Sequence, residues 1–294
     1  MFARLFIFTA LILALLGGFG LLQAYQSYQS KRAYQAEQLN KKAEEVKVTI
    51  LEGWTLVEVA QELEEKGLFS SEDFLSAAQK FDTSTYALLD KPDSSSLEGY
   101  LFPDTYQFAK QSTPELVIDK MLQNFAKRLN SIGVTQSDQD FTIPNYGNLN
   151  ITGADREPGI SLYDVITLAS IIERESGGNG SVDGPLSLNE ERRLVASVFY
   201  NRLEIGQALE SDATVNYITG KKTPGVSLND TEVNSPYNTY KYPGMPPGPI
   251  GNPSLGSIEA ALRPASSDYL YFLHKQPSGL VDFSKTFPEH VSKK

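Results

Sequence analysis

Residues 161–176 read Ser-Leu-Tyr-Asp-Val-Ile-Thr-Leu-Ala-Ser-Ile-Ile-Glu-Arg-Glu-Ser, and this stretch decides the fold of the C-terminal half. Ser161 and Asp164 have the spacing of a capping box, which opens a helix. Gly177 and Gly178 follow the stretch and end that helix. The apolar positions recur at helical spacing and lie on one side, and they are Leu162, Val165, Leu168, Ala169 and Ile172. The stretch therefore predicts a helix with one buried side.

The last turn of this predicted helix carries two glutamates, Glu173 and Glu175, on either side of Arg174. A carboxylate at the end of an apolar stripe is partly buried, and burial raises its pKa because it disfavours the charged form. Such a group can act as a general acid near neutral pH. Both glutamates lie at helical spacing from earlier apolar residues, so the geometry leaves the choice between them open. The alternative is that both are solvated and Arg174 only complements the helix C-terminus.

The segments after this helix alternate short helices with polar loops and predict an α+β unit. They are a helix over 190–205, a polar loop over 210–214, an aromatic-rich loop over 235–242, a Pro/Gly-rich segment over 242–253, a helix over 257–262 and a strand over 269–273. The loops combine tyrosines with amides and hydroxyls, a composition suited to stacking on sugar rings. For Tyr269 and Tyr271, packing is the favoured explanation, because both lie on the predicted strand.

The Pro/Gly-rich segment allows two interpretations. Its prolines are typical of a polyproline ligand for a partner protein. Its glycines and the embedded Met245 and Ile250 favour instead an ordered loop that lines a cleft.

The N-terminal half predicts a smaller unit followed by a connector. Residues 46–51 alternate as a strand does, and Thr55 with Glu58 forms the capping box of a helix that Gly67 ends. Further helices are predicted over 70–80 and 114–129. The many turn-forming residues between 138 and 158 predict an inter-domain or insertion loop.

The chain begins with a long apolar run. Leu5–Ala24 contains no charged residue, and about 20 apolar residues suffice to cross a bilayer as a helix. A cleaved signal peptide is the main alternative, but the run is long for one and no clear cleavage site follows it. Residues 26–45 are polar and rich in helix formers, so they predict a solvated helical stalk. Positive charges flank the run on both sides, so the charge count does not decide its orientation.

Composition excludes several classes of function. The 294 residues carry a formal net charge of −10, which argues against nucleic acid as a partner. The absence of cysteine excludes disulfides, thiol catalysis and cysteine-ligated metals. The chain has only two histidines and no serine nucleophile elbow, so a Ser-His-Asp hydrolase is disfavoured.

Several sequence blocks occur together in a fixed order over residues 46–290. They are Leu97–Tyr106, Leu168–Ser176, Val195–Leu203, Ser211–Thr214, Pro236–Tyr240, Met245–Ile250, Ala260–Ala265 and Tyr269–Phe272. In this combination the chain closely resembles the endolytic murein transglycosylases, the YceG-like family. The resemblance implies an α+β fold with an N-terminal transmembrane helix, a small abbreviated LysM-like α/β subdomain and an α+β catalytic domain. The corresponding boundaries are 1–25 for the anchor, 26–45 for the stalk, 46–110 for the LysM-like subdomain, 111–158 for a helical connector and loop, and 159–294 for the catalytic domain.

The resemblance also implies a function and a site. The family's catalytic acid is the second glutamate of its E-[KR]-E element, which is Glu175 here, with Glu173 as a neighbour that tunes it. By motif position, the residues that line the substrate cleft are Asn201, Ser211, Asp212, Thr214, Tyr237, Asn238 and Tyr240. The implied enzyme cuts peptidoglycan strands between N-acetylmuramic acid and N-acetylglucosamine, leaves 1,6-anhydro ends and needs no metal or cofactor.

The implied location is the plasma membrane, with a single span and the catalytic domain outside the cytoplasm. The expected partners are glycan strands, the membrane and cell-wall synthases. A hydrolytic muramidase and a non-catalytic peptidoglycan-binding scaffold are the alternatives. The chain departs from the family in its short region before Leu97, and in Glu210, where relatives often have glutamine. A charge at Glu210, if close, would raise the pKa of Glu175 further.

Overall fold

A computed structural model gives the fold of the chain. It describes residues 23, 26–28, 30–31, 44–86, 91–92, 96–135, 140–144, 146, 160–176, 186–222, 225–275 and 280–293. The chain forms two compact units, residues 1–46 with 109–111 and residues 47–108 with 112–294. The second unit holds all the helices named below.

Three predicted segments lie largely outside the described residues: the membrane segment Leu5–Ala24, the stalk over 26–45 and the loop over 138–158. Among the helices in the described part of the chain, none combines the length and the apolar character needed to cross a bilayer.

The first elements form a small strand and helix arrangement. Strand β1 (Glu45–Thr49) and strand β2 (Thr105–Ala109) pair in a two-stranded sheet. Between them, helix α1 (Leu56–Glu65) packs against helix α2 (Ser71–Lys80). The predicted capping box at the start of α1 is confirmed, with Thr55 and Glu58 each bonding the backbone N–H of the other.

A longer helix follows. Helix α3 (Pro114–Ser131) packs against α2, and its first residue is a proline, which is preorganised for that position. Strand β3 (Asp140–Phe141) then pairs antiparallel with strand β4 (Ile160–Ser161). β4 leads directly into the helix predicted from residues 161–176.

Four helices build the C-terminal core. They are α4 (Leu162–Ser176), α5 (Leu188–Glu204), α6 (Asp212–Thr219) and α7 (Leu255–Leu262). α4, α5 and α7 pack against one another, and α6 packs against α4. The side chains of α4 are buried along most of its length. This packing fixes the last turn of α4, which carries the two candidate glutamates.

Helix α6 corrects the sequence analysis, which predicted a polar loop over 210–214. The helix starts at Asp212, and four consecutive side chains from Ala213 to Asn216 are buried. With eight residues it is too short to show a clear helical period. The sequence of its polar first residues is therefore typical of a loop. Packing against α4 nevertheless stabilises them as a helix.

The chain ends in a hairpin and a short helix. Strand β5 (Tyr271–His274) pairs antiparallel with strand β6 (Val281–Ser284), and helix α8 (Phe287–Ser292) follows. The ring of Tyr269 lies 5.5 Å from that of Phe283, and Tyr271 lies 5.9 Å from Phe287 in α8. The packing role predicted for these two tyrosines is confirmed.

The Pro/Gly-rich segment lies along α4. Its Pro247 carbonyl accepts a 2.8 Å hydrogen bond from the hydroxyl of Tyr163, and the backbone N–H of Ile250 donates to Ser170 at 3.0 Å. Ile250 is fully buried. The segment is thus an ordered loop, as its embedded apolar residues predict, and it forms part of the core beside the functional helix.

Candidate active site

The two glutamates in the last turn of α4 have different surroundings. Glu173 is buried and pairs with Arg192 of α5, whose Nη2 lies 3.0 Å from Oε1. Its Oε2 accepts hydrogen bonds from the N–H and the hydroxyl of Ser254, at 2.9 and 2.5 Å, and from the hydroxyl of Ser257 at 2.7 Å. Both carboxylate oxygens are therefore engaged with protein donors, and Glu173 ties α4 to α5 and to the start of α7.

Glu175 is only half-buried, and its Oε1 accepts a hydrogen bond of 2.5 Å from the hydroxyl of Ser211. Burial raises the pKa of this carboxyl group, and the negative charge of Asp212 raises it further. The hydrogen bond from Ser211, a backbone hydrogen bond from Ala213 and the charge of Arg174 act in the opposite direction but do not cancel the increase. Glu175 thus holds its proton to a higher pH than an ordinary glutamate, and the residue remains partly exposed.

Ser211 is fixed by a small network of hydroxyls. Its backbone N–H donates to Oγ1 of Thr239 at 3.1 Å, and that oxygen lies 2.8 Å from Oγ1 of Thr214. The Thr214 hydroxyl donates to the Ser211 carbonyl at 2.8 Å. Thr214 and Thr239 are buried, so they support Ser211 from within the protein.

Asp212 and Tyr240 complete the surroundings of Glu175. The Tyr240 hydroxyl donates a 2.6 Å hydrogen bond to Oδ1 of Asp212. Burial raises the pKa of Tyr240, and the charges of Asp212 and Glu175 raise it further. Tyr240 is 36% exposed, so its ring is available to a ligand. Glu175, Ser211, Asp212 and Tyr240 are called the Glu175 cluster below.

The extra charge of Glu210 does not act on Glu175 in the way that the sequence suggested. Its carboxylate forms an ion pair of 3.2 Å with Nη1 of Arg202, a largely buried residue of α5. Arg202 also donates to the carbonyls of Ala208 and Leu209 at 3.2 and 2.9 Å. The ion pair therefore neutralises Glu210 and holds the loop that leads into Ser211. The charge that raises the pKa of Glu175 is that of Asp212.

The remaining predicted cleft residues lie elsewhere. Asn201 donates to the carbonyls of residues 267 and 269, at 2.9 and 2.8 Å, and so anchors the segment before β5. Asn238 is buried and donates to the carbonyls of residues 231 and 233, both at 2.8 Å. Tyr237 stacks at a tilt on Tyr217, with ring centres 5.2 Å apart. The structure thus brings Ser211, Asp212 and Tyr240 to Glu175, whereas Asn201 and Asn238 donate to backbone carbonyls.

A second carboxyl group with a raised pKa was not singled out from the sequence. Glu98 is 6% exposed, and its Oε1 accepts a 2.8 Å hydrogen bond from the N–H of Leu56 at the start of α1. Its Oε2 lies 3.5 Å from the hydroxyl of Tyr217. Burial raises the pKa of Glu98 to about 8. The only signal in the sequence is a carboxylate inside the apolar block Leu97–Phe102.

His274 was also missed. It is the last residue of β5, and it bonds to the backbone carbonyl of Glu175 at the end of α4. Burial lowers the pKa of His274. Its Nε2 is buried and has no hydrogen-bond partner among the described residues. The imidazole therefore contacts the end of α4 through the Glu175 backbone.

The site has the means for acid–base chemistry. In the described part of the chain, no three His, Asp or Glu side chains come together in a way that could hold a metal ion. The Glu175 cluster offers one half-buried carboxyl group with a raised pKa, one hydroxyl donor and one partly exposed aromatic ring. This arrangement can deliver a proton to a bound ligand and take one back.

Comparisons with known proteins agree with this architecture. A model of the YceG-like family matches residues 24–294. A crystal structure of a YceG-like protein from Listeria monocytogenes resembles the chain with a TM-score of 0.65 and 31% identity, over 90% of this chain and 81% of the other.

Two relatives from other bacteria are named endolytic murein transglycosylase. The one from Bacillus subtilis is 34% identical over 254 residues, and the match covers 83% of this chain and 62% of the relative. The one from Streptococcus pneumoniae D39 is 32% identical over 276 residues, which cover 84% of this chain and 45% of the relative. The chain thus spans roughly half to three-fifths of the length of these relatives. The family model, the relatives and the fold agree, and the chain belongs to the YceG-like family.

Proposed function

We propose that this chain is an endolytic lytic transglycosylase that cleaves the glycan strands of peptidoglycan, with Glu175 as its acid and base. The observation that carries the proposal is the contrast between the two glutamates of α4. Glu173 is held by Arg192, Ser254 and Ser257 on both oxygens, whereas Glu175 is half-buried with a raised pKa and one hydroxyl partner. The two relatives named endolytic murein transglycosylase support the same reaction.

In the proposed mechanism one carboxyl group serves both steps. Protonated Glu175 gives its proton to the oxygen of the bond between N-acetylmuramic acid and N-acetylglucosamine, and that bond breaks at C1 of the muramic ring. The resulting carboxylate then takes the proton of the muramic C6 hydroxyl as this oxygen bonds to C1. The product is a 1,6-anhydro ring, and Glu175 recovers its proton. Hydrolytic glycosidases ordinarily need a second carboxylate, which the internal hydroxyl makes unnecessary.

The neighbours of Glu175 have distinct proposed roles. The Ser211 hydroxyl stabilises the carboxylate that forms after the first proton transfer, since a hydrogen bond to the charged form favours it. The exposed ring of Tyr240 supplies a surface for a sugar, and its hydroxyl is held by Asp212. Thr214, Asn238 and Asn201 shape this region from within, and Tyr237 extends it toward Tyr217.

A hydrolytic muramidase is the second candidate, and Asp212 is the observation that favours it. This carboxylate is close enough to Glu175 to raise its pKa. In a muramidase it would activate a water molecule or act as nucleophile. The hydrogen bond from Tyr240 occupies one of its oxygens, which leaves that oxygen less available to a water molecule and favours the transglycosylase.

We also propose the cellular setting from the sequence. Leu5–Ala24 anchors the chain in the plasma membrane, and the catalytic domain over 159–294 lies outside the cytoplasm, where peptidoglycan is found. Residues 46–110 form an abbreviated LysM-like subdomain, and cell-wall synthases are the expected protein partners.

The test is digestion of purified, uncrosslinked glycan strands with the full chain in detergent, followed by mass spectrometry of the products. Anhydromuramic ends support the transglycosylase, and reducing ends, which are heavier by one water, support the muramidase. Binding without cleavage would leave only a glycan-binding scaffold.

Two matched variants assign the reaction to one residue. Glu175→Gln should abolish cleavage while the chain still binds strands. Glu65→Gln, which neutralises an exposed glutamate at the end of α1, should leave cleavage unchanged. Cleavage that survives in Glu175→Gln would refute the assignment.

A further inference from the structure

A cavity of about 430 Å³ lies on the other side of the α4 terminus from Glu175. Its wall combines the last turn of α4 with the turn before α1, the start of α5 and the segment after α6. The lining residues are Glu52, Gly53, Trp54, Glu58, Glu173, Arg174, Ser176, Leu188, Arg192 and Lys222. It is called the Trp54 cavity below.

The carboxylates of the cavity wall are already paired. Glu173 and Glu52 lie 3.0 and 3.5 Å from Nη2 of Arg192, and Glu58 lies 3.4 Å from Nζ of Lys222. Arg192 thus serves two of the three carboxylates and Lys222 serves the third. Arg174 is the one cationic residue of the lining that forms no ion pair with a described carboxylate.

The wall also holds polar groups that can donate further hydrogen bonds. Ser176 is 1% exposed, and its hydroxyl has no hydrogen-bond partner among the described residues. Nε of Arg192 is buried and likewise unpaired within the described part of the chain. The guanidinium of Arg174 makes one long contact of 3.5 Å with the Gly53 carbonyl, and no described carboxylate lies within ion-pair distance of it. A buried donor without a partner is costly, so these groups suit a ligand that brings acceptors.

The acceptor that best fits this set is a carboxylate. A guanidinium binds a carboxylate through two parallel hydrogen bonds, and such charge-assisted bonds are stronger than bonds to neutral hydroxyls or amides. The indole of Trp54 adds an apolar surface beside these donors, against which a small side chain such as a methyl group can pack.

The cavity lies close enough to Glu175 for one bound glycan strand to reach both. Helix α6 begins next to Ser211, which contacts Glu175, and ends shortly before Lys222 at the rim of the cavity. Its eight residues span about 12 Å. A group attached to the sugar chain near the bond being cut can therefore reach the cavity.

We propose that the Trp54 cavity binds the free C-terminal carboxylate of a short peptide carried by the glycan strand, with Arg174 and Ser176 as its donors. The identity of this peptide as a peptidoglycan stem rests on the proposed function. The cavity then distinguishes strands with free stem carboxylates from strands without peptides.

The chain has one tryptophan, so its fluorescence reports on this cavity alone. The probes are diacetyl-lysyl-D-alanyl-D-alanine and its C-terminal carboxamide, titrated into the full chain in detergent. We expect a saturable change in fluorescence with the acid and an affinity at least about tenfold lower for the amide, because a charged partner is lost. Equal affinities, or no saturable change with the acid, would overturn the proposal.

Two arginine variants identify the donor. Arg174→Gln should lower the affinity for the acid to that for the amide. Arg193→Gln removes the same charge from an exposed position on α5 outside the cavity and should leave the affinity unchanged. Circular dichroism establishes that both variants are folded, and an equal loss of affinity in both would overturn the assignment.

The test of the carboxylate site and the test of the proposed function have distinguishable outcomes. Cleavage of peptide-free strands depends on Glu175 and tests the reaction alone. If the acid binds and no strand is cleaved, the proposed function fails while the carboxylate site stands. If strands are cleaved and the acid and the amide bind equally, the reaction stands and the site fails.

Discussion

The hydroxyl of Ser211 donates its hydrogen bond of 2.5 Å to Glu175 and leaves its own helix without a side-chain cap. A serine at this position ordinarily accepts a hydrogen bond from the backbone of the first helical turn, which stabilises the helix. In α6 that stabilisation is absent. The serine is instead bonded to the half-buried carboxyl group of Glu175 in α4. The arrangement favours the chemistry of Glu175 over the stability of α6.

Replacement of Ser211 tests this relationship. The Ser211→Ala variant loses a hydrogen bond that favours the ionised form of Glu175, so the pKa of Glu175 should rise further. The optimum of strand cleavage should move to higher pH. The rate at the original optimum should fall by about tenfold, because one hydrogen bond to a charged group is lost. Initial rates of strand cleavage between pH 4 and pH 9 check both effects.

The matched control is Ser70→Ala, which removes a serine that does cap its helix, α2. This change should lower the free energy of unfolding by about 1 kcal/mol and leave the pH profile unaltered. A pH optimum that stays in place in Ser211→Ala would contradict the role given to the Ser211 hydroxyl.

The two glutamates of α4 should differ in stability as well as in activity. Glu173→Gln leaves the buried Arg192 with only its longer ion pair to the exposed Glu52 and should lower the free energy of unfolding by about 3 kcal/mol. Glu175→Gln should cause no such loss at pH 8, because the raised pKa means that the ionised form of Glu175 destabilises the folded chain at high pH. Urea denaturation of both variants measures the difference. A similar loss in both would mean that Glu175 is also structural.

Glu98 should make the stability depend on pH. Its folded pKa is raised from 4.5 to about 8, so the stability it contributes is fully present below pH 4.5 and is lost as the pH rises through about 8. Glu98→Gln keeps a neutral side chain at all pH values. The variant should therefore equal the wild type at about pH 4 and exceed it in free energy of unfolding at pH 9, as measured by urea denaturation.

Glu72→Gln provides the comparison for Glu98. Glu72 is exposed in the first turn of α2, and its replacement should leave the pH dependence of stability as it is in the wild type. If the stability of Glu98→Gln follows the wild-type dependence on pH up to pH 9, then Glu98 is ionised in the folded chain. Its hydrogen-bond partners would then offset the effect of burial on its pKa.

Local patterns predicted most of the elements in the described part of the chain. The helical spacing in α4 and the capping box of α1 depend on neighbours in sequence, and both are present in the structure. Helical spacing alone could not distinguish Glu173 from Glu175. The distinction arises from Arg192, Ser254 and Ser211, which come from three other segments.

The features that sequence analysis missed depend on contacts across the chain. Glu98 is buried by α1 and Tyr217, and His274 reaches the Glu175 carbonyl from β5. The donors of the Trp54 cavity likewise come from segments that are distant in sequence. No local period marks such residues, because their environment is set by tertiary packing.

Gly99 lies where the segment that carries Glu98 meets α4. Its φ is +89°, and an added Cβ would lie 2.6 Å from Cβ of Pro249 and 2.9 Å from Cγ2 of Ile166. Gly99→Ala should lower the free energy of unfolding by about 3 kcal/mol, as backbone strain and overpacking add. Gly67 also has a positive φ, +76°, but no described atom within 4 Å of an added Cβ. Gly67→Ala should therefore lose only the strain contribution of about 1 kcal/mol. Urea denaturation separates the two contributions, and equal losses would mean that the approach of Gly99 to α4 is not tight enough to fix Glu98.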